Sequence, residues 1–70
     1  MESKRTRLIG QNLKQARENA NLTQLELANK AKIHVNYYAR IERGETEASM
    51  DTLNNLVNAL HIKFSDIINF

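Results

Sequence analysis

Residues 23–43 hold two helix-length patterns separated by only three residues, and few folds accommodate that spacing. The first opens with Thr23-Gln24-Leu25-Glu26. This fits a capping box, in which a Thr hydroxyl satisfies one free amide and a Glu reaches back to satisfy another. Leu27, Ala28 and Ala31 form its apolar side. The pattern breaks over Lys32 to His34 and resumes from Val35 to Arg43, with Tyr38 and Ile41 on the inner face. Gly44 follows, and a residue that tolerates positive φ is the easiest way to end a helix. A three-residue connection forces two short helices to cross steeply and leaves the second one prominent.

The flanks read as helices too. From about Thr6, apolar residues Ile9, Leu13, Ala16 and Ala20 recur at helical spacing, and Asn19 to Asn21 supplies a stop. Beyond a polar loop at 45–48, Ser49 is a fitting N-cap and Asp51 a favourable first-turn anion. Leu53, Leu56, Val57 and Leu60 continue that helix, and Phe64, Ile67 and Ile68 mark a further turn or two. Proline is absent and period-two alternation is scarce, so the expected fold is all-α. The chain of 70 residues makes one domain of five helices, with residues 1–5 a flexible basic N-terminus.

Several function classes find no support. With no cysteine there is no disulfide or thiolate metal site, and His34 and His61 lack partners at metal-binding spacing. No nucleophile motif, glycine-rich phosphate loop, cofactor site or small-molecule ligand site is visible, so an enzyme is not expected. No apolar stretch is long enough for a membrane span, and the N-terminus has no signal-like apolar region. The expected compartment is the cytoplasm.

Charge divides unevenly along the chain. Residues 1–43 carry nine basic and four acidic side chains, net +5, and residues 44–70 carry one against four, net −3. A positive face suits a polyanion, although an ordinary solvated surface has the same composition. The prominent second helix sharpens the choice, because an α-helix fits the DNA major groove and its first residues reach base edges. Here those residues are His34, Val35 and Asn36, with Arg40 one turn on. Asn pairs with adenine, Arg with guanine, and Val packs on a thymine methyl.

The runs Leu22-Thr23-Gln24-Leu25-Glu26-Leu27-Ala28, Ile33 and Tyr37-Tyr38-Ala39-Arg40-Ile41-Glu42-Arg43-Gly44 closely resemble the Cro/phage-repressor type (XRE) helix-turn-helix family. The likeness extends through Ser49-Met50-Asp51-Thr52-Leu53 and Leu60-His61-Ile62, spanning about Ile9 to Ile68. It implies a compact lambda-repressor-like domain whose second and third helices form the DNA-binding unit. The implied base readers are Val35, Asn36 and Arg40, with His34 beside them. Gln24 would bind a phosphate and brace the reading helix, and Tyr37 would touch the DNA backbone. Arg17 and Glu42 match a structural ion pair joining the first helix to the third. Arg43 and the N-terminal Lys4, Arg5 and Arg7 are candidate phosphate contacts, which position a protein without reading sequence.

Three residues depart from the family pattern. Lys32 stands where a turn glycine is common, Tyr38 replaces an aliphatic core residue, and His34 replaces the usual Ser, Thr or Asp cap. The Tyr38 hydroxyl therefore needs a buried partner or an opening to solvent. His34 caps less well, and either a DNA contact or a structural role would account for it.

One module of this size covers half of a two-fold operator, so a homodimer on palindromic double-stranded DNA is expected. Ile62, Phe64, Ile68 and Phe70 are the candidate dimer interface. Core closure by a fifth helix competes for the same C-terminal segment, Phe64 and Ile67 above all. The leading expectation is a sequence-specific transcriptional regulator, most simply a repressor. The alternative is an antitoxin-like or adaptor module that uses the C-terminal apolar segment to hold another protein.

Overall fold

The computed structural model describes residues 3–70. Four α-helices, α1 (Lys4–Asn19), α2 (Gln24–Ala31), α3 (Val35–Glu42) and α4 (Met50–Leu60), are followed by a 3-10 turn at Phe64–Asp66. No strand occurs among the described residues. α1 packs on α3 and α2 packs on both α3 and α4, giving a body of 28 × 23 × 20 Å. The core centres on Leu13, Leu27, Tyr38, Ile41, Leu56 and Ile67, all essentially inaccessible to solvent. Each large apolar side chain so buried contributes roughly 1.5–3 kcal/mol.

Caps explain where the helices begin. The Thr23 hydroxyl accepts the Glu26 amide at 3.0 Å and the Glu26 carboxylate accepts the Thr23 amide at 2.8 Å, completing the expected capping box. Ser49 accepts the Thr52 amide at 3.1 Å and so opens α4. The start of α1 differs from expectation. Ser3 caps it, accepting the Thr6 amide at 3.0 Å, so Lys4 and Arg5 are helical rather than part of a flexible tail. The other two residues of that expected tail, Met1 and Glu2, lie outside the described residues.

All four helices end in the same way. Asn21, Lys32, Gly44 and His61 adopt positive φ, between 57° and 75°. At each, the residue itself bonds back three positions and the next residue bonds back five: Gly44 to Ile41 and Glu45 to Arg40, for example. This paired ending is the Schellman motif. Only one of the four corners is glycine. At Lys32 the side-chain-bearing residue holds the left-handed conformation with φ 61°, and the turn closes without distortion through Ile33 bonding to Ala28 at 3.0 Å.

The expected fifth helix does not form. After His61 the chain makes a single 3-10 turn, and the carbonyl of Ile67 is taken by the Asn12 amide at 3.1 Å instead of continuing a helical ladder. Two adjacent β-branched residues, Ile67 and Ile68, followed by Asn69, are weak helix formers over so short a stretch. Ile67 nonetheless fills the core, and Phe64 and Ile68 pack on its edge.

Candidate nucleic-acid interface

The site is best built from the helix that carries it. α3 runs for eight residues and is held to the domain along its inner side and at its C-terminal end. Tyr38 and Ile41 are buried there. Glu42, at the last helical position, gathers four donors from three helices. Arg17 of α1 reaches one carboxylate oxygen through Nε at 2.6 Å and the other through Nη2 at 3.2 Å. Gln24 of α2 donates from Nε2 at 3.0 Å, and the Tyr38 hydroxyl donates from one turn earlier in α3. Burial pushes the Glu42 carboxyl up, but the hydrogen bonds from Arg17, Tyr38 and Gln24 outweigh it and hold the group below the usual carboxylate range. Burial, reinforced by Glu42, drives the Tyr38 phenol well above its ordinary value, so it stays a donor. Arg17 is held firmly protonated by Glu42 and also donates to the Leu22 carbonyl at 2.8 Å.

The leading end of α3 is open by contrast. His34, Asn36 and Arg40 are exposed, and Val35 and Tyr37 are half-buried against the core edge. The Asn36 amide is capped by the His34 ring at 3.0 Å. Thus His34 serves as the helix cap despite not being a preferred cap residue. Gln24 stands half-buried beside α3, its amide oriented by Glu42 so that one N–H points into the carboxylate.

The expected phosphate contacts divide. Arg7 lays its side chain over Gly44, directly behind the end of α3. Arg43 is exposed but forked onto Glu45 at 2.8 and 3.0 Å. Lys4 and Arg5 flank a shallow apolar depression with Leu8 and Phe70, and Arg5 also borders the 46–48 loop. Of the expected interface residues, Ile62, Phe64 and Ile68 are partly buried in their own core, and Phe70 is 56% exposed.

Sequence reasoning missed the Arg43–Glu45 fork, the hydroxyl of Tyr38 as a donor to Glu42, and the Asn12 tie to the C-terminal turn. The first had a legible signal, opposite charges two residues apart across a glycine. The other two join residues that only tertiary packing brings together.

Two short helices packed together across a three-residue turn, the second of them anchored behind and open in front, define a helix-turn-helix module. Residues 13–67 match the HTH_3 helix-turn-helix family, and the chain belongs to it. It is 40% identical over 60 residues to an immunity repressor protein of Bacillus phage phi105, covering 86% of this chain and 42% of that one. It is 33% identical over 64 residues to the control protein C.BamHI of Bacillus amyloliquefaciens, covering 90% of this chain and 79% of that one. The fold superposes on the restriction-modification controller protein C.AhdI of Aeromonas hydrophila with a TM-score of 0.86, at 27% identity, covering 89% and 94% of the two chains. The chain thus spans under half the length of the phage repressor and most of the length of the two controllers. No helix among the described residues is long and apolar enough to cross a membrane.

Proposed function

We propose that this chain is a sequence-specific transcriptional regulator, a repressor in the simplest case, that lays α3 in the major groove of a palindromic operator as a homodimer. The observation that carries this reading is the asymmetry of α3. Its rear is fixed by the Glu42 cluster, and its front carries exposed His34, Asn36 and Arg40 with Val35 beside them. Asn36 and Arg40 then read base edges, Val35 meets a thymine methyl, and Gln24, Tyr37, Arg43 and Arg7 hold phosphates. Lys4 and Arg5 add backbone contacts from the first turn of α1. Its relatives, a phage immunity repressor and a control protein, support a regulatory role. Such a role places the protein in the cytoplasm with the DNA it binds.

Dimerisation supplies the second half-site. Exposed Phe70 beside Leu8, and the partly buried Ile62 and Ile68 of the same C-terminal segment, are the residues we assign to it.

Selection of bound duplexes from a random pool tests the whole reading. The expected product is a palindrome with half-sites about 34 Å apart and binding that weakens steeply with salt. No enrichment, with salt-insensitive capture of another protein instead, would overturn it in favour of an adaptor role. Arg40→Ala should cost about 1–3 kcal/mol of base preference at one position.

A further inference from the structure

We propose that His34 contacts DNA solely as a hydrogen-bond donor, through its Nε2–H, because its other ring nitrogen is committed to capping α3. The inference rests on the DNA-binding reading above and adds the chemistry of one contact to it.

The backbone of His34 is extended, with φ −71° and ψ 140°, the usual conformation of a helix cap. Its Nδ1 accepts the Asn36 backbone N–H at 3.0 Å. A ring nitrogen accepts only while it keeps its lone pair, so the single proton of the neutral imidazole sits on Nε2. Moving that proton to Nδ1 would set one N–H against another and break the cap. The cap therefore selects the tautomer.

The side chain is exposed, and among the hydrogen bonds of the described residues Nε2 makes none. At the leading end of α3 the ring thus presents one outward donor and no outward acceptor. Asn36 beside it offers both in one amide. The partner of His34 must be an acceptor: a phosphate oxygen, a purine N7, a guanine O6 or a thymine O4. The amino groups of adenine and cytosine are refused, because meeting them needs the tautomer that undoes the cap. Capping and selectivity are one property of this residue. A Ser, Thr or Asp in its place would cap at least as well without imposing it.

Two measurements test this. In the free protein, long-range proton–nitrogen NMR of the His34 ring should show Nε2 protonated and Nδ1 bare; the opposite tautomer would overturn the proposal. The second measurement uses His34→Asn, whose Oδ1 takes the place of Nδ1 and is a preferred cap, but which has no atom where Nε2 stands. Its melting temperature should equal or exceed that of the wild type. Its affinity for the duplex recovered by selection should fall about three- to tenfold. An equal loss on a scrambled duplex assigns the acceptor to a phosphate oxygen, and a loss confined to the selected duplex assigns it to a base edge. Unchanged affinity in a fully folded H34N protein would overturn the contact. Failure of the wild-type chain to bind any duplex would remove the DNA reading and the contact with it, while the NMR result would still report the tautomer.

Discussion

The hydroxyl of Tyr38 and the Nε–H of Arg17 converge on the same oxygen of Glu42, so a buried phenol and a cross-helix cation share one acceptor. A carboxylate with several lone pairs accommodates both, and the remaining oxygen takes Gln24 and the second guanidinium nitrogen. Tyr38→Phe removes one donor and leaves the packing intact. We expect a loss of about 1–3 kcal/mol in urea unfolding, the cost of under-satisfying a buried charge.

The same cluster sets how stability responds to pH. The Glu42 carboxyl titrates below its ordinary 4.5 in the folded chain, so its contribution is present above that pH and is lost as pH falls through the lower folded value. The Tyr38 phenol is raised above its ordinary 10.0, so its contribution is present below that pH and is lost as pH rises beyond it. Unfolding midpoints should therefore plateau at intermediate pH and fall at both ends. Glu42→Gln should lower the plateau by about 3–5 kcal/mol, since it strands Arg17, and should flatten the acid limb. An acid limb of unchanged steepness in that variant would refute the assignment.

Gly10 lets α1 approach the backbone of α3 closely. A Cβ there would meet the carbonyl oxygen of Ile41 and come within 2.6 Å of that of Glu42, both backbone atoms that cannot rotate aside. Gly10→Ala gains helix propensity but forces the two helices apart, for a net loss of about 1–3 kcal/mol. Because the displaced atoms belong to the rear of α3, DNA affinity should fall along with the melting temperature.

Glu45 holds the Arg43 guanidinium that the proposed function assigns to a phosphate. Its carboxyl is held below the usual range by the Arg43 guanidinium, with a smaller influence from Arg40. An exposed pair of this kind contributes little to folding, so Glu45→Gln should leave the melting temperature unchanged. It should tighten binding to duplexes of any sequence. The slope of log affinity against log salt should steepen by about 0.9, the equivalent of one more phosphate. An unchanged slope would show that Arg43 does not reach the backbone.

Much of this molecule was legible in its sequence where local chemistry decides the outcome. Thr23 and Glu26 mark one helix start, Ser49 another, and Gly44 a helix end, because each acts on backbone groups within a few residues. The start of α1 lies earlier than the sequence predicts because Lys4 and Arg5 oppose the helix dipole in a first turn, and Ser3 overrides them. The apolar spacing of the C-terminal segment predicts a helix, but Asn12, more than fifty residues away, claims the carbonyl that would have extended it. For α3, the exposed positions are legible in the sequence and the hydrogen-bond states are not. That His34 caps through Nδ1 depends on side-chain torsions that no spacing encodes.

The placement of Glu42 separates what holds α3 from what α3 presents. Asn36 and Arg40 bear almost none of the folding energy, since both are exposed and neither side chain bonds within the protein among the described residues. Exchanging them leaves the scaffold standing. Under the proposed reading, a lineage built on this domain can therefore drift from one operator to another by single steps, each intermediate still folded. An experimenter can randomise the same positions and lose few library members to misfolding.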